Sequence, residues 1–511
     1  MKNNSLTKKG IKGAVWRTSG SLMKILAQFL MLAVLARLLS PEDFGYVAFI
    51  MILVGFTDLF SRMGIGGALI QLDNISNHQI KTGYTLSLLF GLVLGVIFYF
   101  VTPFIAQFFN MKEIISGLHF FAFLFPLKSL NSISIALLNR DLRFDVSEKI
   151  SLSSFIFGYA LISIIFALLN YGYWSLLYGQ LAMLIVSSIY GWFYYFPKFT
   201  FKWEKNEVNE LLFFGSGFTF NTALGYFSDT IDNLVVSKFI GAQALGIYSK
   251  AYQLYAIPAG IFGGVYDSIM FPILAKRKSN KDKLRDFYFF SISICLLFLM
   301  PLGIMIALNA ELIIKTVLGP GWEEAILILQ ILILSLPFRF GYRINRSFLK
   351  SLGLVYKALV FEIIFFISTA IFSILGVKLF SLPGLAIGVL LSSLLFFITV
   401  YFYMNKLLNM GSKTNYALFK DFLLVSLPFI IVIWGLSIYF KLSIWMLLII
   451  TLALVPVFLL ILFRKKSVVF VDGNIAMYNQ VTSNLPKPII KVLKKVQIKF
   501  ERLFKINLKN E

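Results

Sequence analysis

Fourteen apolar runs of about 20 residues follow one another along this chain, near 16–39, 44–63, 82–107, 114–138, 150–169, 173–196, 211–238, 246–275, 286–308, 323–348, 356–379, 384–405, 419–439 and 442–463. A helix of that length crosses a bilayer core about 30 Å thick. No soluble core could bury so much apolar surface, since 59% of the 511 residues are hydrophobic, 14% are charged and 55 are Phe. The expected fold is an all-α integral membrane protein with about 14 transmembrane helices. The first run is too long for a signal-peptide core and no small-residue cleavage site follows it, so it is expected to remain as a helix. The single cysteine, Cys295, lies inside an apolar run and excludes an intrachain disulfide or a cysteine-based metal site.

The net charge of +23 could signal nucleic acid, but its placement gives another answer. The N-terminus and every second connection between runs hold twenty-five Lys and Arg; the other connections hold six, Arg37, Lys112, Lys238, Lys315, Lys378 and Lys441. Basic residues stay on the cytoplasmic side, so both termini are expected in the cytoplasm of a multi-pass membrane protein. The basic excess is therefore a topology signal, and nucleic acid is not an expected partner. Beyond Arg464, apolar Ile489, Leu493, Val496, Phe500 and Leu503 recur at helical spacing among lysines. That pattern suits a helix lying on anionic membrane lipids, or one docked on the cytoplasmic loops.

One turn is written twice. LARLLSPEDFGYVAF (Leu35 to Phe49) is echoed at an offset of 201 by VSKFIGAQALGIYSK (Val236 to Lys250), which pairs Arg37 with Lys238, Phe44 with Leu245 and Gly45 with Gly246. Ser40 suits an N-cap, Pro41 the first helical position, and Glu42 and Asp43 the positive end of a helix dipole. Six runs separate the copies, so both run in the same direction and make a parallel repeat. A second echo pairs FPLKSLNSISIALLN (Phe125 to Asn139) with LPFRFGYRINRSFLK (Leu336 to Lys350). Two parallel six-helix repeats are thus expected as two lobes, 1–208 and 209–410, followed by two extra C-terminal helices in 411–465 and a basic amphipathic cytoplasmic tail in 466–511.

Polar residues at helical spacing inside the spans mark what a cavity between lobes would show. Arg17, Ser21, Lys24 and Gln28 share one face of the first helix; Thr222, Gly225, Asp229 and Asp232 share one of the seventh; Arg339, Arg343, Arg346 and Lys350 share one of the tenth. A charge in hydrocarbon costs at least about 2.5 kcal/mol and usually faces a cavity or a partner. Arg17, Arg346 and Lys350 suit snorkelling near span ends. Lys24, Asp229, Asp232 and Arg339 lie deeper and suit a cavity, against the alternative of structural ion pairs. Asp267 fits either reading, and Glu362 lies near a span end.

The patterns LARLLSPEDFG, FIGAQALGIYSKAYQL and PILAKRK resemble polysaccharide exporters of the multidrug/oligosaccharidyl-lipid/polysaccharide (MOP) superfamily, above all the Wzx-type flippases for lipid-linked oligosaccharides. This resemblance, over about residues 10 to 410, implies a V-shaped pair of six-helix lobes that carries an undecaprenyl-diphosphate oligosaccharide from the cytoplasmic to the outer leaflet by alternating access, for surface polysaccharide or lipopolysaccharide biosynthesis. The two extra helices resemble the peptidoglycan-precursor flippases instead. A diphosphate needs basic groups in a polar cavity, and Lys24, Arg339 and Arg343 are the candidates to hold it. Asp229, Asp232 and Asp267 are candidates to couple transport to protons or sodium. No cofactor, resident metal or catalytic residue is expected, and other polysaccharide-assembly proteins are expected partners. The competing readings are an ion-coupled drug exporter of the same superfamily and a membrane-embedded glycan polymerase or ligase. The short outer connections weigh against such an enzyme, and the lack of a P-loop motif excludes ATP hydrolysis by that means.

Overall fold

The computed structural model describes residues 20, 23–62, 65–72, 75–200, 205–277, 281–410 and 420. The extra C-terminal helices and the basic tail therefore fall, residue 420 apart, outside the described residues. Every regular element among the described residues is helical: α1 (residues 23–38), α2 (Pro41–Arg62), α3 (Ile65–Gln71), α4 (Asn77–Phe109), α5 (Ile115–Arg140), α6 (Phe144–Ser153), α7 (Leu161–Leu168), α8 (Trp174–Tyr194), α9 (Lys205–Phe239), α10 (Ala242–Arg277), α11 (Lys281–Leu308), α12 (Ala310–Val317), α13 (Glu324–Leu334), α14 (Leu336–Ser351) and α15 (Val355–Leu407). A short 3-10 turn at Lys112–Ile114 leads into α5. Among the described residues, Asn77–Phe109, Lys112–Arg140, Phe144–Leu168, Trp174–Tyr194, Phe287–Leu308 and Tyr356–Leu407 are long and apolar enough to cross a membrane; α13 and α14 qualify only together, as a broken span or a re-entrant loop.

The helix starts follow from capping chemistry. At α2 the Asp43 amide donates to Ser40 Oγ at 3.2 Å, while the Ser40 amide and hydroxyl donate to Asp43 Oδ2 at 3.0 and 2.7 Å. The SPED stretch is thus a reciprocal cap that satisfies donors the helix leaves open. At α4, Ser76 and Gln79 form the same box, and Asn110 closes the helix in the left-handed region at φ 56°.

Three departures from the sequence pattern have local causes. The span expected from 150 starts at Phe144, because its first turns carry Asp145, Glu148 and Lys149 and look like a loop. Its middle, Ser154–Ala160, is a π-helix, and a side chain at Gly158 would lie 2.5 Å from Met183 Cα, so the widened turn sits where α8 comes closest. The span expected at 323–348 is broken at Ser335, where Pro337 removes the amide that would bond the Ile333 carbonyl. The Ser335 amide turns to the Ile333 and Leu332 carbonyls, and its hydroxyl donates to the Leu332 carbonyl at 2.6 Å. Helix α15 covers two expected spans, 356–379 and 384–405, and turns between them as the pattern implies, at Phe380 and Ser381, the latter at φ 53°. Its arms fold back on each other: Gly376 abuts the Gly384 backbone, Gly388 the Phe372 backbone, and Thr369 donates to Ser392 at 3.2 Å.

Two compact units divide the chain. The first holds 1–258, 306–335 and 359–395. At its heart the doubled turn meets its own echo: a side chain on Gly45 would overlap the Ala242 carbonyl, and one on Gly246 would overlap the Pro41 carbonyl. Those pairs exchange under the 201-residue offset, so the contact is reciprocal, backbone against backbone. Trp322 is buried against it, donating from Nε1 to the Ala36 carbonyl at 3.0 Å and meeting Phe44 edge-on at 5.6 Å. The second unit holds 259–305, 336–358 and the chain from 396. There Tyr288 donates to Asn345 Oδ1 at 2.6 Å, the buried Cys295 thiol donates to the Pro337 carbonyl at 3.3 Å, and Phe397 fills the space at Gly341.

The reciprocal contact has no room for even one methyl group. Gly246→Val is expected to destabilise the protein by about 1–3 kcal/mol, as overpacking does. Gly67→Ala, where nothing lies within 4 Å of the added atom, serves as the control and should leave the thermal midpoint in detergent unchanged or raised. Equal midpoints for Gly246→Val and wild type would show that the two turns separate without cost.

Candidate functional site

Lys24 sits on α1, half-buried, and donates from Nζ to Ser151 Oγ on α6 at 2.9 Å. Glu148, one turn before Ser151, stands within electrostatic reach of that ammonium. Glu148 is hidden in the sequence because the apolar pattern starts at 150 and assigns it to a loop. Its signal is the spacing of three to Ser151, which puts both residues on one face of a helix.

On α9 the two acids separate. Asp229 is exposed, while Asp232 is fully buried and receives Tyr248 Oη at 2.8 Å, the Asn233 amide at 2.8 Å and Asn233 Nδ2 at 2.9 Å. Convergent donors are how a carboxylate is kept in an apolar interior. A step of three residues leaves about 60° between side chains, and α10 supplies Tyr248 to only one of them. On α10, Lys250 donates to Gln253 Oε1 at 3.0 Å and lies over the Phe44 ring at 4.2 Å, a cation–π contact from α2.

Two more cations close helix ends. Arg37 donates to the carbonyls of Thr316 at 2.7 Å and Val317 at 2.8 Å, the last residues of α12. Lys238, its partner in the echo, donates to the Phe108 carbonyl in the last turn of α4 and lies over the Phe108 ring at 4.2 Å. Both satisfy carbonyls left open at a helix C-terminus and complement its dipole. In the second unit Arg339 is half-buried and Arg343 exposed, one turn apart on α14, and the Arg343 guanidinium occupies the space that Gly263 leaves on α10. The side chain of Asp267 lies outside the described residues. Glu362 is buried on α15.

Lys24 and Asp232 thus belong to separate clusters of the first unit, one built from α1 and α6, the other from α9 and α10. An all-helical body with charged side chains lodged inside apolar helices defines a polytopic membrane protein. The family model described as "Polysaccharide biosynthesis protein" matches residues 34–327, and the chain belongs to that family. The teichuronic acid biosynthesis protein TuaB of Bacillus subtilis (strain 168) is 26% identical over 74% of this chain and 77% of its own length. The lipopolysaccharide biosynthesis protein WzxC of Escherichia coli (strain K12) is 26% identical over 86% and 89%. Among solved structures, the lipid II flippase MurJ in an inward closed conformation superposes with a TM-score of 0.72 at 16% identity, covering 88% of this chain and 99% of that one. An inward-facing multidrug resistance MATE transporter of the MOP superfamily gives 0.63 at 15% identity, over 78% and 98%. The chain is accordingly a helical membrane protein of the polysaccharide biosynthesis family, with the fold that the flippase and the transporter just named share.

The Asp232 cluster generates a stability prediction. Tyr248→Phe removes one donor from a buried carboxylate and should lower the unfolding free energy by about 1–3 kcal/mol, seen as a fall in thermal midpoint. An unchanged midpoint would mean that Asp232 is held adequately without the phenol.

Proposed function

We propose that this protein carries an undecaprenyl-diphosphate-linked oligosaccharide from the cytoplasmic to the outer leaflet of the bacterial cytoplasmic membrane, by alternating access of two lobes. The observation that carries the reading is Lys24, a cation on α1 whose hydrogen bond goes to a neutral hydroxyl in the candidate span Phe144–Leu168. Such a group suits an anion that arrives and leaves. Two relatives are named for teichuronic acid and lipopolysaccharide biosynthesis, and one structural neighbour is titled a flippase of lipid II. A diphosphate on a lipid carrier is the chemistry that basic side chains can hold through an apolar passage.

In this reading the chain has fourteen spans, both termini in the cytoplasm, lobes at 1–208 and 209–410, and two further helices before the basic tail. The reciprocal meeting of Gly45 and Gly246 supports the lobe plan, because parallel repeats related by one axis touch through equivalent residues. Lys24 and, from the tenth span, Arg339 and Arg343 hold the diphosphate; a guanidinium adds a planar fork suited to phosphate oxygens. Return of the empty carrier is driven by protons or sodium. The exposed Asp229 is the better placed coupling group and Asp232 the more structural one, with Asp267 a third candidate.

Lys24→Ala and Arg339→Ala should each lower polysaccharide export at least about ten-fold, the equivalent of 1.4 kcal/mol, with normal amounts of protein in the membrane. Arg339→Lys should restore part of the rate and exposed Lys198→Ala should be neutral. In the same assay Asp229→Asn should remove the dependence on the ion gradient. Wild-type export by both alanine variants would make these cations structural and overturn the reading.

A further inference from the structure

The neighbourhood of Lys24 is built from two residues on each of two helices. Gly20 and Lys24 are four apart in the first apolar run, and Glu148 and Ser151 are three apart on α6 and share its face. Gly20 decides how close the helices come. A side chain there would lie 2.9 Å from Glu148 Oε2, 3.1 Å from its Cβ and 3.3 Å from its Cγ, so the glutamate packs against Gly20, and its charge acts on the Lys24 ammonium. Ser151 meanwhile fixes the ammonium through a 2.9 Å hydrogen bond. Both Lys24 and Glu148 are half-buried.

We infer that Glu148 is the resident counter-ion of Lys24 and that an arriving lipid diphosphate displaces it. The inference rests on the flippase reading and names how its binding site is regulated. A lone ammonium among apolar helices is costly, so an empty carrier needs a negative group beside it. A carrier that held the diphosphate with full force would never release it. One carboxylate answers both demands: it neutralises Lys24 when the site is empty, and by competing for the ammonium it weakens the bound state enough for exit. Ser151, being neutral, keeps the ammonium aimed while the anions exchange, and Gly20 gives the carboxylate its place. Glu148 is a positioning residue that acts through Lys24.

Binding of farnesyl diphosphate to the purified full-length protein in detergent tests this, with farnesol as the uncharged reference. Wild type should prefer the diphosphate. Glu148→Gln should tighten farnesyl diphosphate about five-fold, the size expected for removing one competing charge a few ångströms away in a partly screened site, and should leave farnesol unchanged. In a Lys24→Ala background the same substitution should change nothing, a coupling that a merely structural glutamate would not show. If Glu148→Gln does not accumulate, Glu148→Asp replaces it: its shorter side chain withdraws the carboxylate and should tighten binding by a smaller factor. Wild type that prefers the diphosphate while neither variant tightens, or tightening that survives Lys24→Ala, overturns the counter-ion role alone. Wild type with no preference for the diphosphate over farnesol overturns the flippase reading beneath it.

Discussion

Hydrocarbon offers no hydrogen-bond partner and almost no screening, so each polar group placed in a span must be answered by another part of the same chain. The structure meets that demand by local devices. Asp232 takes three donors, Lys250 takes an amide oxygen and an aromatic face, and Lys24 takes a hydroxyl with a carboxylate beside it. Arg37 and Lys238 answer open carbonyls at two helix ends. These arrangements differ in kind. A carboxylate held by three donors is a fixture, whereas an ammonium held by one serine hydroxyl, with a glutamate acting on it only through its charge, can change partners.

Close approach of backbones is the second demand, because helices in lipid gain little from burying apolar surface and must pack by contact. Glycine marks each place where that happens. Gly45 and Gly246 let the doubled turns touch through their peptide groups, Gly158 admits α8 against the π-helical turn, and Gly376, Gly384 and Gly388 let the arms of α15 lie together. The reciprocal contact also explains why one chain would carry the turn twice: each copy is the surface on which the other rests.

Run length and capping chemistry are legible in the amino-acid sequence. Helices occupy the expected stretches among the described residues, and the SPED turn caps α2 through Ser40 and Asp43 as its residue types imply. What the pattern does not show has physical causes. Apolar periodicity does not distinguish a π-turn from an α-turn inside a uniformly apolar stretch, so Ser154–Ala160 leaves no trace in it. Charged first turns read as loops, which conceals Glu148. A shared helical face does not determine which residue a neighbouring helix will cover, and α10 covers Asp232 while leaving Asp229 exposed. The clustering of Arg339 and Arg343 on α14 follows from their spacing, but the space made for Arg343 by Gly263 depends on another helix and has no sequence signature.

If the protein moves a lipid anchored by a diphosphate, the charge is what it has to handle, and proteoliposomes read this out. A short prenyl-diphosphate-linked oligosaccharide is placed in one leaflet, and its arrival in the other is followed with a membrane-impermeant lectin. The expected outcome is transfer that needs the protein and falls sharply when the diphosphate is replaced by an uncharged linkage to the same glycan. Transfer no faster than in protein-free vesicles, or equally fast for the charged and uncharged lipids, would refute the proposed handling of the diphosphate.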